Sequence, residues 1–65
     1  MKKIVDLRRE NKISQKELAK KLNVTQASIS NWETEQINIS GYNLIKLAKF
    51  FKVSVDDLLG VEKES

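Results

Sequence analysis

Three residues, Asn23-Val24-Thr25, separate two stretches that both place apolar side chains at helical spacing. Leu18, Ala19 and Leu22 form an i, i+1, i+4 stripe before them, and Ile29 and Trp32 mark one face after them. A connection this short permits a tight turn and nothing longer, and a two-helix turn of this kind can project the second helix outward, although a generic helical hairpin shows the same spacing. The residues at the corner suit that geometry. Ala19 is small enough for close helix packing. Asn23, after Gly, is the residue best suited to a left-handed backbone. Val24 is apolar and can plug the turn, and Ile29 and Trp32 can fix the second helix to a core.

The rest of the chain reads as helix as well. Proline is absent, and glycine occurs only at Gly41 and Gly60. Strand-turn signals are therefore few, whereas helix starts are plentiful. Ser14-Gln15-Lys16-Glu17 is a capping box, and Ser54-Val55-Asp56-Asp57 repeats the Ser-x-x-acid pattern. Thr25 and Ser40 are further N-caps. Gly60 suits the position just past a helix end. The periodicity predicts helices over about 2–11, 15–22, 26–34, 41–51 and 55–59, with each boundary good to about two to four residues. One all-α domain over 1–60 is expected, with a polar tail at 61–65 that is either a frayed end or, if the chain is a fragment, the start of a linker. Its expected core is Ile4, Leu7, Leu18, Ala19, Leu22, Ile29, Trp32, Leu44, Leu47, Ala48 and Leu58.

Sixty-five residues without Cys or His exclude disulfides and the usual zinc ligands, so helix packing or association must stabilise the fold. We expect no metal and no cofactor. Catalysis has little to stand on, because Ser14, Ser40 and Ser54 are explained as caps and Asp56-Asp57 suits a helix start. No apolar stretch is long enough for a membrane span, and a chain without Cys is compatible with a reducing cytosol. The net charge of +3 is unevenly spread. Eight of twelve cations lie at or before Lys21, and none falls between Leu22 and Ile45. Charge alone does not separate solvated lysines from a surface for a polyanion.

The outer face of the helix over 26–34 says more. At about 100° per residue, Ala27, Ser30, Asn31 and Thr34 cluster opposite Ile29, with Gln26 joining from the first turn. A solvated face is usually rich in Lys and Glu; this one carries amides, hydroxyls and a methyl. Gln and Asn can pair with adenine through two hydrogen bonds in the major groove, and Ala can touch a thymine methyl. A polar face with no ligand has the same composition. Single-strand RNA modules rely on exposed aromatics, whereas Trp32, Tyr42, Phe50 and Phe51 sit mostly at core-compatible spacing.

The stretch "SQKELAKKLNVTQASISNWE" resembles the helix-turn-helix of the phage repressor and Cro family, also called the XRE or lambda-repressor-like family. "NLIKLAKFFKVSVDDLLG" resembles the closing two helices of that family, so the likeness runs from about Ile4 to Gly60. It implies a five-helix lambda-repressor-like bundle that binds a near-palindromic double-stranded DNA operator, commonly as a homodimer, with no small-molecule ligand. It also implies residue roles. Thr25, Gln26, Ala27, Ser30 and Asn31 match base-reading positions. Gln15, Lys16, Ser28, Gln36 and Asn38 are the phosphate-binding candidates. Arg8 and Glu33 match a structural salt bridge between the first helix and the end of the third.

The chain also departs from that family. Where the family usually carries a segment resembling Arg-Gly-Lys-Arg-x-Pro-Ser, this chain has Thr34-Glu35-Gln36-Ile37-Asn38-Ile39-Ser40. The cations, the helix-ending Gly and the Pro are gone, leaving Gln36, Asn38 and the amides of the next helix to donate to phosphate. Gly41 stands where the family favours an apolar residue, a loss that Ile39 or Tyr42 is placed to make good. Phe50, Val53, Val55 and Leu58 are candidates for a dimer interface and equally for the core. The rival reading is a protein-interaction module on the same bundle, favoured by the uncharged loop and opposed by the amide-rich helix face and the basic first segment.

Overall fold

The computed structural model describes residues 2–60, and the tail assigned to 61–65 lies outside them. Five α-helices follow one another: α1 Ile4–Glu10, α2 Gln15–Leu22, α3 Gln26–Thr34, α4 Gly41–Phe51 and α5 Val55–Leu59. One 3₁₀ turn, Gln36–Asn38, links α3 to α4, and there is no strand among the described residues.

Four of the helices start on a hydroxyl. The Ser14 side chain accepts from the Glu17 amide at 3.0 Å while Glu17 accepts from the Ser14 amide, so both halves of the capping box are made. Thr25 accepts from the Ser28 amide, Ser40 from Asn43 and Ser54 from Asp57. Before each cap stands a β-branched apolar residue, Ile13, Val24, Ile39 or Val53, and four residues after each cap stands Leu18, Ile29, Leu44 or Leu58. This is the spacing of a hydrophobic staple, used four times. The four later residues are all buried, Ile39 is buried with them, and Ile13, Val24 and Val53 pack against the core's edge. The caps therefore set the angle at which each helix enters the core as well as its start.

Helix ends are equally regular. Asn23 takes the left-handed conformation at φ 58°, ψ 47°, and the amides of Asn23 and Val24 return to the carbonyls of Lys20 and Ala19. That double closure is the Schellman motif. Lys12 (φ 55°) closes α1 in the same way, with Ile13 returning to Arg8 and Lys12 to Arg9. Lys52 (φ 58°) closes α4, with Val53 returning to Ala48. Gly60 ends α5 at φ 73°. α1 is shorter than its periodicity predicts because Lys3, its N-cap residue, has no side-chain cap to offer.

The core holds Ile4, Leu7, Leu18, Ala19, Leu22, Ile29, Ile39, Leu44, Leu47, Ala48 and Leu58. Trp32, expected inside, is only half-buried at its margin. Gly41 is exposed and a side chain there would meet nothing within 4 Å, so no core packing is missing for Ile39, which is buried, or Tyr42, which is exposed, to make good. Leu58 is fully buried and belongs to the core rather than to a surface, while Phe50, Val53 and Val55 are half-buried. α2 packs directly on α3, and Ala19 is buried where a larger side chain would hold the two apart.

Candidate nucleic-acid interface

The turn at Asn23 sends α3 outward with Ile29 in the core and Thr25, Gln26, Ala27, Ser30, Asn31 and Thr34 exposed. The base-reading candidates thus share one accessible helix face. Three hydroxyls on or beside it are tied locally: Thr34 donates to the Ser30 carbonyl at 3.1 Å, and the Ser28 and Thr25 hydroxyls lie 2.9 Å apart. No internal hydrogen bond engages the side-chain amides of Gln26 or Asn31 among the described residues. These two have the most open pairing capacity on the face.

Behind that face, the end of α3 is anchored by charge. Arg8 donates from Nε to Glu33 Oε2 at 2.6 Å and from Nη2 to Oε1 at 3.3 Å. A third guanidinium bond, from Nη1 to the Ile13 carbonyl at 2.9 Å, holds the arginine against the end of α1. Gln15, the first residue of α2, donates to Glu33 Oε1 at 2.9 Å. The pair is 14% and 9% exposed. Burial pushes the Glu33 carboxyl up, but hydrogen bonds from Arg8 and Gln15, with the charges of Arg8 and Arg9, outweigh it and hold the group below its ordinary range. α1, α2 and α3 therefore meet at one carboxylate, which fixes the end of α3 relative to the start of α2.

The phosphate-binding candidates divide. Lys16 is exposed on the first turn of α2, and Gln15 beside it is half-buried with one N–H given to Glu33. Ser28 is half-buried at the first turn of α3. Asn38 is exposed, but its amide donates to Glu35 Oε2 at 2.9 Å. Gln36 is not at the surface at all. It is 7% exposed, its Oε1 accepts from the Ile4 amide at 2.8 Å, and its Nε2 donates to the carbonyls of Leu58 (2.6 Å) and Lys2 (2.7 Å). The expectation that Gln36 donates to phosphate is therefore corrected. Its amide supplies the α1 N-terminus with an acceptor and the α5 C-terminus with a donor, groups that no intrahelical bond can satisfy.

Lys46 is another residue that sequence patterning does not single out. Its Nζ donates to the Leu22 carbonyl at 2.9 Å, at the negative end of α2, with the exposed Tyr42 ring 5.1 Å away. It braces α4 against the helix-turn-helix. Among the described residues no group of three or more His, Cys, Asp or Glu is placed to hold a metal ion.

A profile described as helix-turn-helix matches residues 4–58. The chain belongs to the helix-turn-helix family. It is 34% identical over 64 residues to the HTH-type transcriptional regulator ImmR of Bacillus subtilis (strain 168), a match covering 98% of this chain and 50% of that protein. The chain thus spans about half the length of that relative. No solved structure matches it significantly. Family membership accounts for the packing of α2 on α3 and for the outward face of α3.

Proposed function

We propose that this chain binds double-stranded DNA and acts as a transcriptional repressor, with α3 in the major groove of its operator. The observation that carries this reading is the exposed, uncharged face of α3, where Gln26 and Asn31 have open hydrogen-bonding capacity beside the Ala27 methyl. Thr25 and Ser30 complete the base-reading set. Lys16, Gln15, Ser28 and Asn38 serve the backbone, with Lys16 the only charged member. The amides of Gly41 and Tyr42, in the first turn of α4, have no internal partner among the described residues and add neutral donors. The regulator named as a relative supports a role in transcription. We place the chain in the cytoplasm, where its operator would be; no described helix is long and apolar enough to cross a membrane.

Two copies on a near-palindromic site, with their α3 helices about 34 Å apart, would enter successive major grooves one turn of DNA apart, on either side of a dyad. Selection from a pool of randomised duplexes, followed by gel shift, tests the reading. The expected product is a short motif with inverted repeats whose half-sites are centred about 10 base pairs apart. Exposed Ile37, Tyr42 and Ile45 favour the protein-interaction reading instead, and that reading stands if no duplex is enriched.

A further inference from the structure

We infer that Glu35 is a brake on backbone attraction: a carboxylate at the end of α3 that lowers affinity for any duplex and leaves discrimination to the helix's base-facing residues. The inference rests on the DNA-binding reading above. Three observations lead to it. Glu33 and Glu35 are the two charged residues between Leu22 and Ile45, and both are acids. Glu33 is neutralised by Arg8, whereas Glu35 is exposed and makes no salt bridge among the described residues. The loop's remaining exposed amide, Asn38, gives one N–H to Glu35 Oε2 at 2.9 Å and so keeps only its second N–H for an outside acceptor.

Position makes that charge consequential. Thr34 is the last residue of the exposed face of α3, and Glu35 follows it where the backbone leaves the helix at φ −128°, ψ 64°. Adjacent Cα atoms are about 3.8 Å apart. With α3 in a groove, the Glu35 carboxylate falls within the roughly 8 Å over which charges interact at physiological salt. The duplex presents one negative charge per about 1.7 Å of axis, so there is no approach along which the carboxylate meets no phosphate field. Lys3 lines the same shallow groove as Glu35, at the start of α1, but not at ion-pair distance. Because the repulsion acts on phosphates, it is the same for every sequence. Its effect is to reduce retention on the large excess of unrelated DNA in a genome, where binding is electrostatic.

Glu35→Gln keeps an oxygen to accept the Asn38 bond and removes only the charge. Asp6→Asn removes the same charge from the exposed first turn of α1, two residues and so about 200° around the helix from Arg8. Fluorescence anisotropy would follow full-length protein on two labelled duplexes: the one selected from the random pool and a scrambled duplex of equal length and composition. The expected result at 50 mM KCl is that Glu35→Gln binds both duplexes about two- to fivefold more tightly, the factors for one unit charge about 8 Å and about 4 Å from a phosphate in water. Its base preference should be unchanged, its advantage over wild type should shrink as salt is raised, and Asp6→Asn should bind as wild type does. Equal tightening by Glu35→Gln and Asp6→Asn would reduce the effect to net charge and overturn the inference, as would no tightening by Glu35→Gln. Gln26→Ala, run on the selected duplex and a one-base-pair variant of it, separates the two levels. If Gln26→Ala leaves base preference intact, the groove docking of α3 fails, whatever Glu35 does.

Discussion

Replacing Gln36 by Leu should unfold much of what its position suggests is a minor loop. The side chains are close in volume, so the substitution opens little space, and its cost is polar. Removing the amide leaves the Ile4 N–H and the Leu58 carbonyl buried without partners, while the partly exposed Lys2 carbonyl can turn to water. Each stranded buried group costs about 1–3 kcal/mol, and the added apolar surface returns roughly 1 kcal/mol. A net loss near 3 kcal/mol follows, against a total stability of roughly 3–10 kcal/mol for a domain of this length. At about 4–8 °C per kcal/mol, the melting temperature should fall by about 12–24 °C. Thermal melts followed by far-UV circular dichroism, with urea titrations alongside, would measure it. Hydrogen exchange at the Ile4 amide should lose protection in the variant before the core does. A variant within about 4 °C of wild type, with the Ile4 amide still protected, would refute the reasoning and return Gln36 to the surface.

Three further outcomes concern the anchor of α3 and the helix ends. Arg8→Ala should cost about 3 kcal/mol in urea unfolding, because it leaves the Glu33 carboxylate with Gln15 alone. The folded Glu33 carboxyl lies below its usual 4.5, so the unfolded chain binds that proton more readily. The resulting stability is whole above the unfolded pKa and is lost as pH falls from there through the folded value. Unfolding curves between pH 6 and 3 should show that loss in wild type and a shallower one in Glu33→Gln; parallel curves would contradict it. Lys52→Gly should stabilise by about 0.5–1 kcal/mol, since a non-glycine residue in the left-handed region costs about 1–2 kcal/mol. A loss of stability in Lys52→Gly would mean that the C-terminus of α4 is not closed as described.

Much of this was legible because the helices announce their starts. Ser14, Thr25, Ser40 and Ser54 all cap, and the apolar stripes beside them are the core. What escaped reading was chemistry that periodicity does not encode. Lys12 and Lys52 do not look like helix stops, yet each occupies a left-handed position because the β-branched residue after it, Ile13 or Val53, packs against the core. The repeated pairing of such a residue with Ser or Thr was present in the sequence and would have located every helix junction from α1 to α5. Gln36 gives no such signal. A glutamine in a polar loop reads as solvent-facing, and only the convergence of the α1 start and the α5 end makes a buried amide worth its desolvation. Tyr42 errs the other way: its spacing fits a core face, but the α4 stripe through Leu44, Leu47 and Ala48 leaves it outside over Lys46.

The central claim is that α3 reads bases, and Gln26 tests it most directly. Equilibrium binding of wild type and Gln26→Ala would be compared on the selected duplex and on every single-base-pair variant of one half-site. A base contact predicts a loss of about 1–3 kcal/mol for Gln26→Ala on the selected duplex, with preference abolished at one base pair and kept at the others. If Gln26→Ala instead ranks all the duplexes as wild type does, while Lys16→Ala or Lys20→Ala abolishes binding, the chain holds DNA through its lysines and α3 is not the reader.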